Sequence, residues 1–354
     1  MFVRDGRGWL GEGSVTRGDF VAATAYQQAR EWWTRLAAER RRDGFDGPLV
    51  AFGTFPFDAA SPSGATLIAP DRVLPIDGDL PRLGSLPLPG ATVRDGAMSR
   101  ETYLWAVDQV KAAIAAGRLQ KSVIARNVLI SPDGPVDVGS LIDVLAAAHP
   151  RASVFSIDGL VGASPETLIT VHDGIVTARV LAGTAGPGEA DALSESGKDR
   201  REHELAARSV IETLAPHVIS LEASPEPYVL ELPHLTHLAT DVTAVISDGS
   251  DVLALLEALH PTAAVAGTPV RAALSWIHEV EPVDRGRYAG PVGWLDTDGN
   301  GEWALALRCA QLQRDGTFHA FAGAGIMADS VAEVELAETE LKLRPILEAF
   351  GAIR

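Results

Sequence analysis

Strand-like runs broken by tight-turn residues recur along this chain, and that pattern restricts its fold more than any single motif. Gly47-Pro-Leu-Val-Ala-Phe-Gly-Thr-Phe-Pro-Phe-Asp reads as a buried strand bounded by turns. Lys121 to Ile130 reads as another strand, and Ser153 to Thr184 as several around turns, with a hairpin signal at Asp173-Gly174. Arg287 to Leu312 and Thr317 to Ala322 continue in the same style. Helical spacing predicts helices over about Ala22 to Arg41, Ser99 to Ala116 (with Ser99 as cap), Val138 to Ala148, Lys198 to Leu214, Val252 to Leu259 and Pro269 to Ile277. Residues 59 to 96, rich in Pro and Gly, read as a meandering surface connection. Strands outnumber helices and follow one another in hairpin order, so a mixed α+β fold with antiparallel sheet fits better than a doubly wound parallel one.

Composition then narrows the function. The chain has 354 residues, 46% of them hydrophobic and 22% charged, the profile of an ordinary globular protein with a substantial core. Its formal net charge of −17 carries no offsetting basic block, which argues against nucleic acid or an anionic membrane as partner. An anionic small molecule is admissible only where a local site, helped by a metal, inverts the field. Cys309 is the single cysteine, so neither a disulfide framework nor a cysteine metal site is available. No apolar run reaches membrane-spanning length and the first residues lack a secretory pattern, so a cytoplasmic monomer is expected. Of 30 Lys plus Arg, only Lys111, Lys121, Lys198 and Lys342 are lysines. Where arginine is the default cation, a lysine draws interest as a compact or deprotonatable amine, Lys121 and Lys342 above all.

The C-terminal stretch is the densest in chemistry. Asp296-x-Asp298-x-Asn300-Gly301 imitates the start of a calcium loop, but Leu307 stands where the closing bidentate acid belongs, so the segment is read as a hairpin turn. On the following strand Trp303, Leu305, Leu307 and Cys309 would share one face. The other would carry Ala304, Ala306, Arg308 and Ala310: a guanidinium flanked by small residues, suited equally to a ligand carboxylate and to an exposed surface. Ser330 and Glu333 fit a capping box that would open the last helix. On that helix Glu335, Glu338 and Lys342 fall on one face.

Asp199 and Glu202 have the same i, i+3 spacing on the Lys198 to Leu214 helix. Such clusters are usually solvated faces stitched by weak ion pairs; two helices facing each other would instead offer oxygen ligands suited to magnesium. Glu166, in Val161-Gly-Ala-Ser-Pro-Glu before an apolar strand, is either an outward turn residue or a desolvated carboxyl fit for general acid work. Lys121 opens its strand as either a snorkelling edge lysine or an inward base. His234 and His237 lie three apart on a strand or loop, pointing to opposite faces, which disfavours a shared zinc. The two Gly-x-Gly pieces lack the third glycine of a dinucleotide site, and no nucleophile elbow occurs.

Taken in order, Gln-Lys121-x-Val, Gly-Ala-Ser-Pro-Glu166, Leu-Ala-Gly183-Thr, Lys-Asp-Arg-x-Glu202-His, His237-Leu-Ala-Thr, His260-Pro-Thr, Gly-Glu-Trp…Arg308-Cys-Ala, Ala-Gly323-Ala-Gly-Ile and Glu-x-x-Glu338 resemble the chorismate-utilising enzymes, with isochorismate synthases the nearest branch. The resemblance covers about Gly96 to Arg354, with an echo at Pro56-Phe-Asp. It implies a single-domain αββα sandwich of two large antiparallel sheets over residues 1–354, in which residues 1–95 are the less diagnostic part. It further implies Mg²⁺ at Glu202 and Glu338, with Asp199 and Glu335 reaching it directly or through water, and chorismate as substrate. The ring carboxylate would face the ion and the enolpyruvyl carboxylate would meet Arg308 and Tyr288. Gly183, Thr184, His237, Ala264, Lys342 and the Gly323-Ala324-Gly325 backbone would seat the rest. Lys121 would activate water for attack at C2, and Glu166 would protonate the departing C4 hydroxyl. Ala264 stands where ammonia-using and pyruvate-eliminating relatives tend to carry threonine. Ala263 replaces a usual proline, and Ala-Gly-Pro-Gly after Thr184 lacks the arginines often found there. A salicylate synthase, which goes on to expel pyruvate, and a non-catalytic chorismate- or metal-binding relative are the alternatives.

Overall fold

The computed structural model describes residues 1–21, 23–186, 188–232 and 235–352. Every strand pairing among them is antiparallel. One sheet orders Arg7–Phe20, Ala65–Asp77, Val50–Thr54, Pro291–Asp296, Gly301–Leu305, Thr167–His172, Ile175–Ala185 and Thr236–Ile246. Val218–Ala223 and Tyr228–Glu231 share the far side of the last of these. The second sheet orders Phe2–Arg4, Ser153–Ile157, Leu160–Ser164, Cys309–Leu312, Phe318–Ile326 and Lys121–Pro132. Ala91–Asp95 and Gly267–Thr268 flank its last strand. A hairpin between Phe2–Arg4 and Arg7–Phe20 is the hydrogen-bonded link that joins the two ladders. Its turn residues Asp5 and Gly6 have φ of 49° and 71°, the left-handed pair that lets two strands close over two residues.

Helices pack against both sheets and complete the αββα sandwich. Gly197–Leu214 lies on Ile175–Ala185, and Ala332–Ala349 lies on Phe318–Ile326 and beside Arg100–Ala115. Short polar residues start several helices: Ser99, Asp137, Ser196 and Asp251 each accept a hydrogen bond from a backbone N–H of the first turn. Val138–Ala148 and Val252–Leu259 have the bounds that helical spacing predicts. None of the described helices is long and apolar enough to cross a membrane.

Three expectations are corrected. Residues 59–96 are not a surface meander, because Ala65–Asp77 is a thirteen-residue strand inside the first sheet and Ala91–Asp95 a short one in the second. Val50–Thr54 pairs only as far as Ile68, so Pro70 and Pro75 lie where the strand has a single neighbour and a missing N–H is tolerated. The capping box does not form either. Val331 stands at the cap position without a side-chain bond, and Ser330 is turned back so that its hydroxyl accepts from Met327 N at 3.0 Å. Finally, Trp303 to Ala310 is not one strand. The chain leaves the first sheet after Leu305 and enters the second at Cys309. Leu307 N donates to Leu305 O at 2.8 Å, and Arg308 adopts φ 49°, which breaks the alternation expected through it.

Candidate active site

Another place where the chain changes sheets lies beside the Leu305 to Cys309 crossover. Leu160–Ser164 belongs to one sheet and Thr167–His172 to the other, with Pro165 and Glu166 between them. The crossovers are sewn together: Leu305 N donates to Glu166 O at 3.1 Å, and Ala163 N to Arg308 O at 3.2 Å. A carboxyl and a guanidinium are thereby held at the junction of the two sheets. Both side chains are buried, and they line one cavity of about 60 Å³ with Gly183, Thr184, Glu202, His237, Ala264, Tyr288, Gly323, Gly325 and Lys342. This volume corresponds to a few water molecules and is smaller than a ring bearing two carboxylates.

Burial dominates the electrostatics here. It pushes the Glu166 carboxyl up to about 7, against the opposing pull of a backbone N–H at Leu181 and of Lys121, Lys342 and Arg308. Burial also pulls the Arg308 guanidinium down, opposed by Tyr288, Glu338 and Glu166. It holds His237 well below the ordinary imidazole range, with Arg308 and Lys342 pushing the same way, so the ring is neutral. His237 Nδ1 lies 3.1 Å from Thr184 Oγ1, directly across the paired strands. Gly183 is skipped in that pairing and sits at φ 76°, a bulge that a side chain would resist. A Cβ there would come within 3.0 Å of Asp199 Cβ, so Asp199 packs on this bulge.

At and behind the wall that Glu202 and Lys342 form, each of three glutamates has its own lysine, with Lys121, Lys198, Glu335 and Glu338 set back from the lining. Lys121 is fully buried, with Nζ 3.1 Å from Glu202 Oε1. Lys198 Nζ donates to Glu335 Oε1 at 2.6 Å, and Lys342 Nζ lies 2.5 Å from Glu338 Oε1 while donating to Gly323 O at 3.0 Å. The fourth lysine, Lys111, donates to Ser330 O at 2.5 Å just ahead of the terminal helix. All four lysines thus serve the site or the entry to its helix, which extends the interest of this rare residue type to Lys198. Burial raises the Glu338 carboxyl; Lys342 opposes this, and Glu335 and Glu202 add to it, so the carboxylates of the two helices feel one another. Burial works against the Lys198 ammonium, but Glu335, Glu202 and Glu338 outweigh it and keep it charged.

The donor set is made of hard carboxylate oxygens on two helices, partly desolvated and mutually repelling, which suits magnesium with waters completing its shell. Among the described residues no three acidic, histidine or cysteine groups already converge as a coordination set; Glu202, Glu335 and Glu338 each contact a lysine instead. Gly325 keeps this corner open: a Cβ on it would fall 2.0 Å from Glu202 Oε1 and 2.9 Å from Lys121 Cε. Ala324, between the two cavity glycines, points its methyl the other way by strand alternation. His203, next to Glu202, bridges Ala182 O at 3.1 Å and Thr240 Oγ1 at 2.7 Å and pins the helix to the first sheet. His234 lies outside the described residues, so a joint site with His237 has no structural account. The lining residues Val123, Pro165, Leu181, Ala182, Val265 and Leu307 carry no polar signal that sequence reasoning detects.

Comparison with known proteins points to one family. A family model described as "Chorismate binding enzyme" matches residues 87–351. The isochorismate synthase EntC of Escherichia coli K12 is 32% identical, over 99% of this chain and 94% of the relative. A protein of Pseudomonas aeruginosa named "Salicylate biosynthesis isochorismate synthase" is 37% identical over 77% of this chain, which spans 59% of that relative's length. Among solved structures, a putative 2,3-dihydroxybenzoate-specific isochorismate synthase, DhbC, from Bacillus anthracis superposes with a TM-score of 0.89 at 29% identity, covering 99% of this chain and 96% of that one.

Proposed function

The chain belongs to the chorismate-binding enzyme family, and we propose on that premise that it is an isochorismate synthase, exchanging the C4 hydroxyl of chorismate for a hydroxyl at C2. The observation that carries this reading is the placement of Lys121 and Glu166. Both are buried: Glu166 lines the cavity with Arg308 and Glu202, and Lys121 lies just behind Glu202, its Nζ 3.1 Å from Glu202 Oε1 and near enough for its charge to act on Glu166.

In this scheme Lys121 is the base that takes a proton from water while the water oxygen bonds to C2. The ring double bond shifts and the C4–O bond breaks. Glu166, whose burial keeps its proton to about pH 7, delivers that proton to the departing hydroxyl, which leaves as water. One base and one acid balance the reaction, and no redox partner is needed. Arg308 and Tyr288 receive the enolpyruvyl carboxylate; Arg308 has been stripped of water and has no carboxylate within salt-bridge distance among the described residues, so the substrate supplies its counter-charge. Neutral His237, its Nδ1 turned to Thr184, presents its other ring nitrogen to the substrate side. Glu202 and Glu338 would hold Mg²⁺, with Asp199 and Glu335 in support. When bound, the ion would offset the charge of the ring carboxylate in a protein whose net charge of −17 otherwise repels a dianion.

Purified protein incubated with chorismate and Mg²⁺ tests the proposal by chromatography of the products. Isochorismate without free pyruvate is expected. Salicylate with pyruvate would assign the chain to the pyruvate-eliminating branch, anthranilate formed with ammonia to the aminating branch, and unchanged chorismate to a binding role.

A further inference from the structure

The strand Lys121–Pro132 has strand neighbours on its outer side only at its two ends. Gly267–Thr268 pairs with Ser122 and Lys121, and Ala91–Asp95 pairs with Pro132 to Val128. The backbone between them is met largely by side chains. Val123 N donates to Ala266 O at 2.9 Å, but Val123 O accepts from Arg285 Nη2 at 2.7 Å, and Ala125 N donates to Glu281 Oε1 at 2.8 Å. Arg285 and Glu281 are locked together by two hydrogen bonds of 2.9 and 2.6 Å, each side chain 2% exposed. The remaining arm of the guanidinium, Nη1, donates to Val265 O at 3.0 Å, and its plane rests on the Phe57 ring, 4.2 Å from the centroid.

A buried ion pair costs desolvation of both partners and is often replaceable by apolar side chains, so its presence alone carries no function. Here the pair does what a stretch of strand would do. One planar fork ties the backbone two residues beyond Lys121 to the backbone of Val265, and Val123 and Val265 both line the cavity. We propose that Arg285, oriented by Glu281, is a positioning residue. It fixes the strand that presents Lys121 to the reacting atoms against the Ala264–Val265 wall. The proposal rests on the reading of Lys121 as the base. A lysine cannot reproduce it, because an ammonium lacks the forked geometry that spans two carbonyls and a carboxylate. The Tyr288 turn is held by the main chain instead, through Tyr288 N to Arg285 O at 3.1 Å, so side-chain substitution leaves that carboxylate-binding wall in place.

The test compares Arg285→Met, Arg285→Lys and Glu281→Gln with the unmodified protein, at a temperature where circular dichroism shows all of them folded. Arg285→Met is expected to speed exchange of the Ala125 amide by at least about tenfold. It should lower kcat for isochorismate formation by at least about tenfold with KM within about threefold. Arg285→Lys should stay impaired, and Glu281→Gln, which keeps its acceptor for Ala125 N, should recover most of the activity. Folded Arg285 variants with kcat within about twofold of the unmodified protein would overturn the proposal. If Arg285→Met does not fold, Arg285→Lys is judged by the same criterion. Lys121→Ala, measured alongside, separates the two ideas: full activity there defeats the base, whatever the exchange data say of the tether.

Discussion

The two ends of the cavity solve the burial of charge in opposite ways. At and behind one end Glu202, Glu335 and Glu338 each contact a lysine, so these three carboxylates are compensated within the protein. At the other, Glu166 and Arg308 are buried at the sheet crossovers with no salt bridge among the described residues, and both are displaced from their ordinary protonation range by desolvation. In the proposed function the compensated end would exchange one cation for another without exposing a bare charge. The uncompensated end is poised, because a carboxyl near 7 gives up a proton readily and a desolvated guanidinium binds the next anion that arrives. Specific substitutions break or sharpen this contrast.

The largest effect is expected from Lys121→Ala, which removes the proposed base and leaves Glu202 without its lysine partner. kcat should fall by about 10²–10⁴, while chorismate binding, followed by calorimetry, persists. Glu166→Gln should cost a comparable factor and also abolish a pH limb. In the unmodified protein the acid form of Glu166 is lost above about 7, so kcat/KM falls as pH rises through that value. The same group links stability to pH. Its folded pKa is raised from 4.5 to about 7, so its contribution to stability is present below 4.5 and lost as pH rises through 7. That window spans roughly 3 kcal/mol, and in Glu166→Gln the corresponding slope of denaturant midpoint against pH should disappear. Next in size, Gly325→Ala puts a methyl into the Glu202 carboxylate and should weaken divalent-ion binding while destabilising by about 1–3 kcal/mol in urea titration. The smallest is Ser99→Ala, remote from either end, which removes the bond from Thr102 N and should cost about 1 kcal/mol with kcat unchanged.

Much of this arrangement was legible in the residues themselves. Helical spacing put Glu335, Glu338 and Lys342 on one face, and period-two alternation found most strands. What escaped has physical reasons. Ala65–Asp77 carries Pro70 and Pro75, which mimic loop composition because the half of the strand that holds them lacks a second neighbour. The path through Trp303 to Ala310 reads as one alternating strand, since nothing local announces that Arg308 turns left-handed and the chain changes sheets. Ser330 has the right spacing for a capping box, but its hydroxyl is claimed by Met327 N. Arg285 and Glu281 carry no motif, and the gap in pairing along Lys121–Pro132 is what points to a use for this i, i+4 pair. The roles of Lys121 and Glu166 came from family resemblance, because a lysine opening a strand and a glutamate after a turn are more often bland.

In the proposed function, carboxylates from the helices Gly197–Leu214 and Ala332–Ala349 share one divalent ion. Titration of the protein with Mn²⁺ as a paramagnetic stand-in, followed by electron paramagnetic resonance, tests it most directly. One tight ion per chain is expected, displaced by Mg²⁺ and weakened at least about tenfold by either Glu202→Gln or Glu338→Gln. Binding that survives both substitutions unchanged would contradict the account.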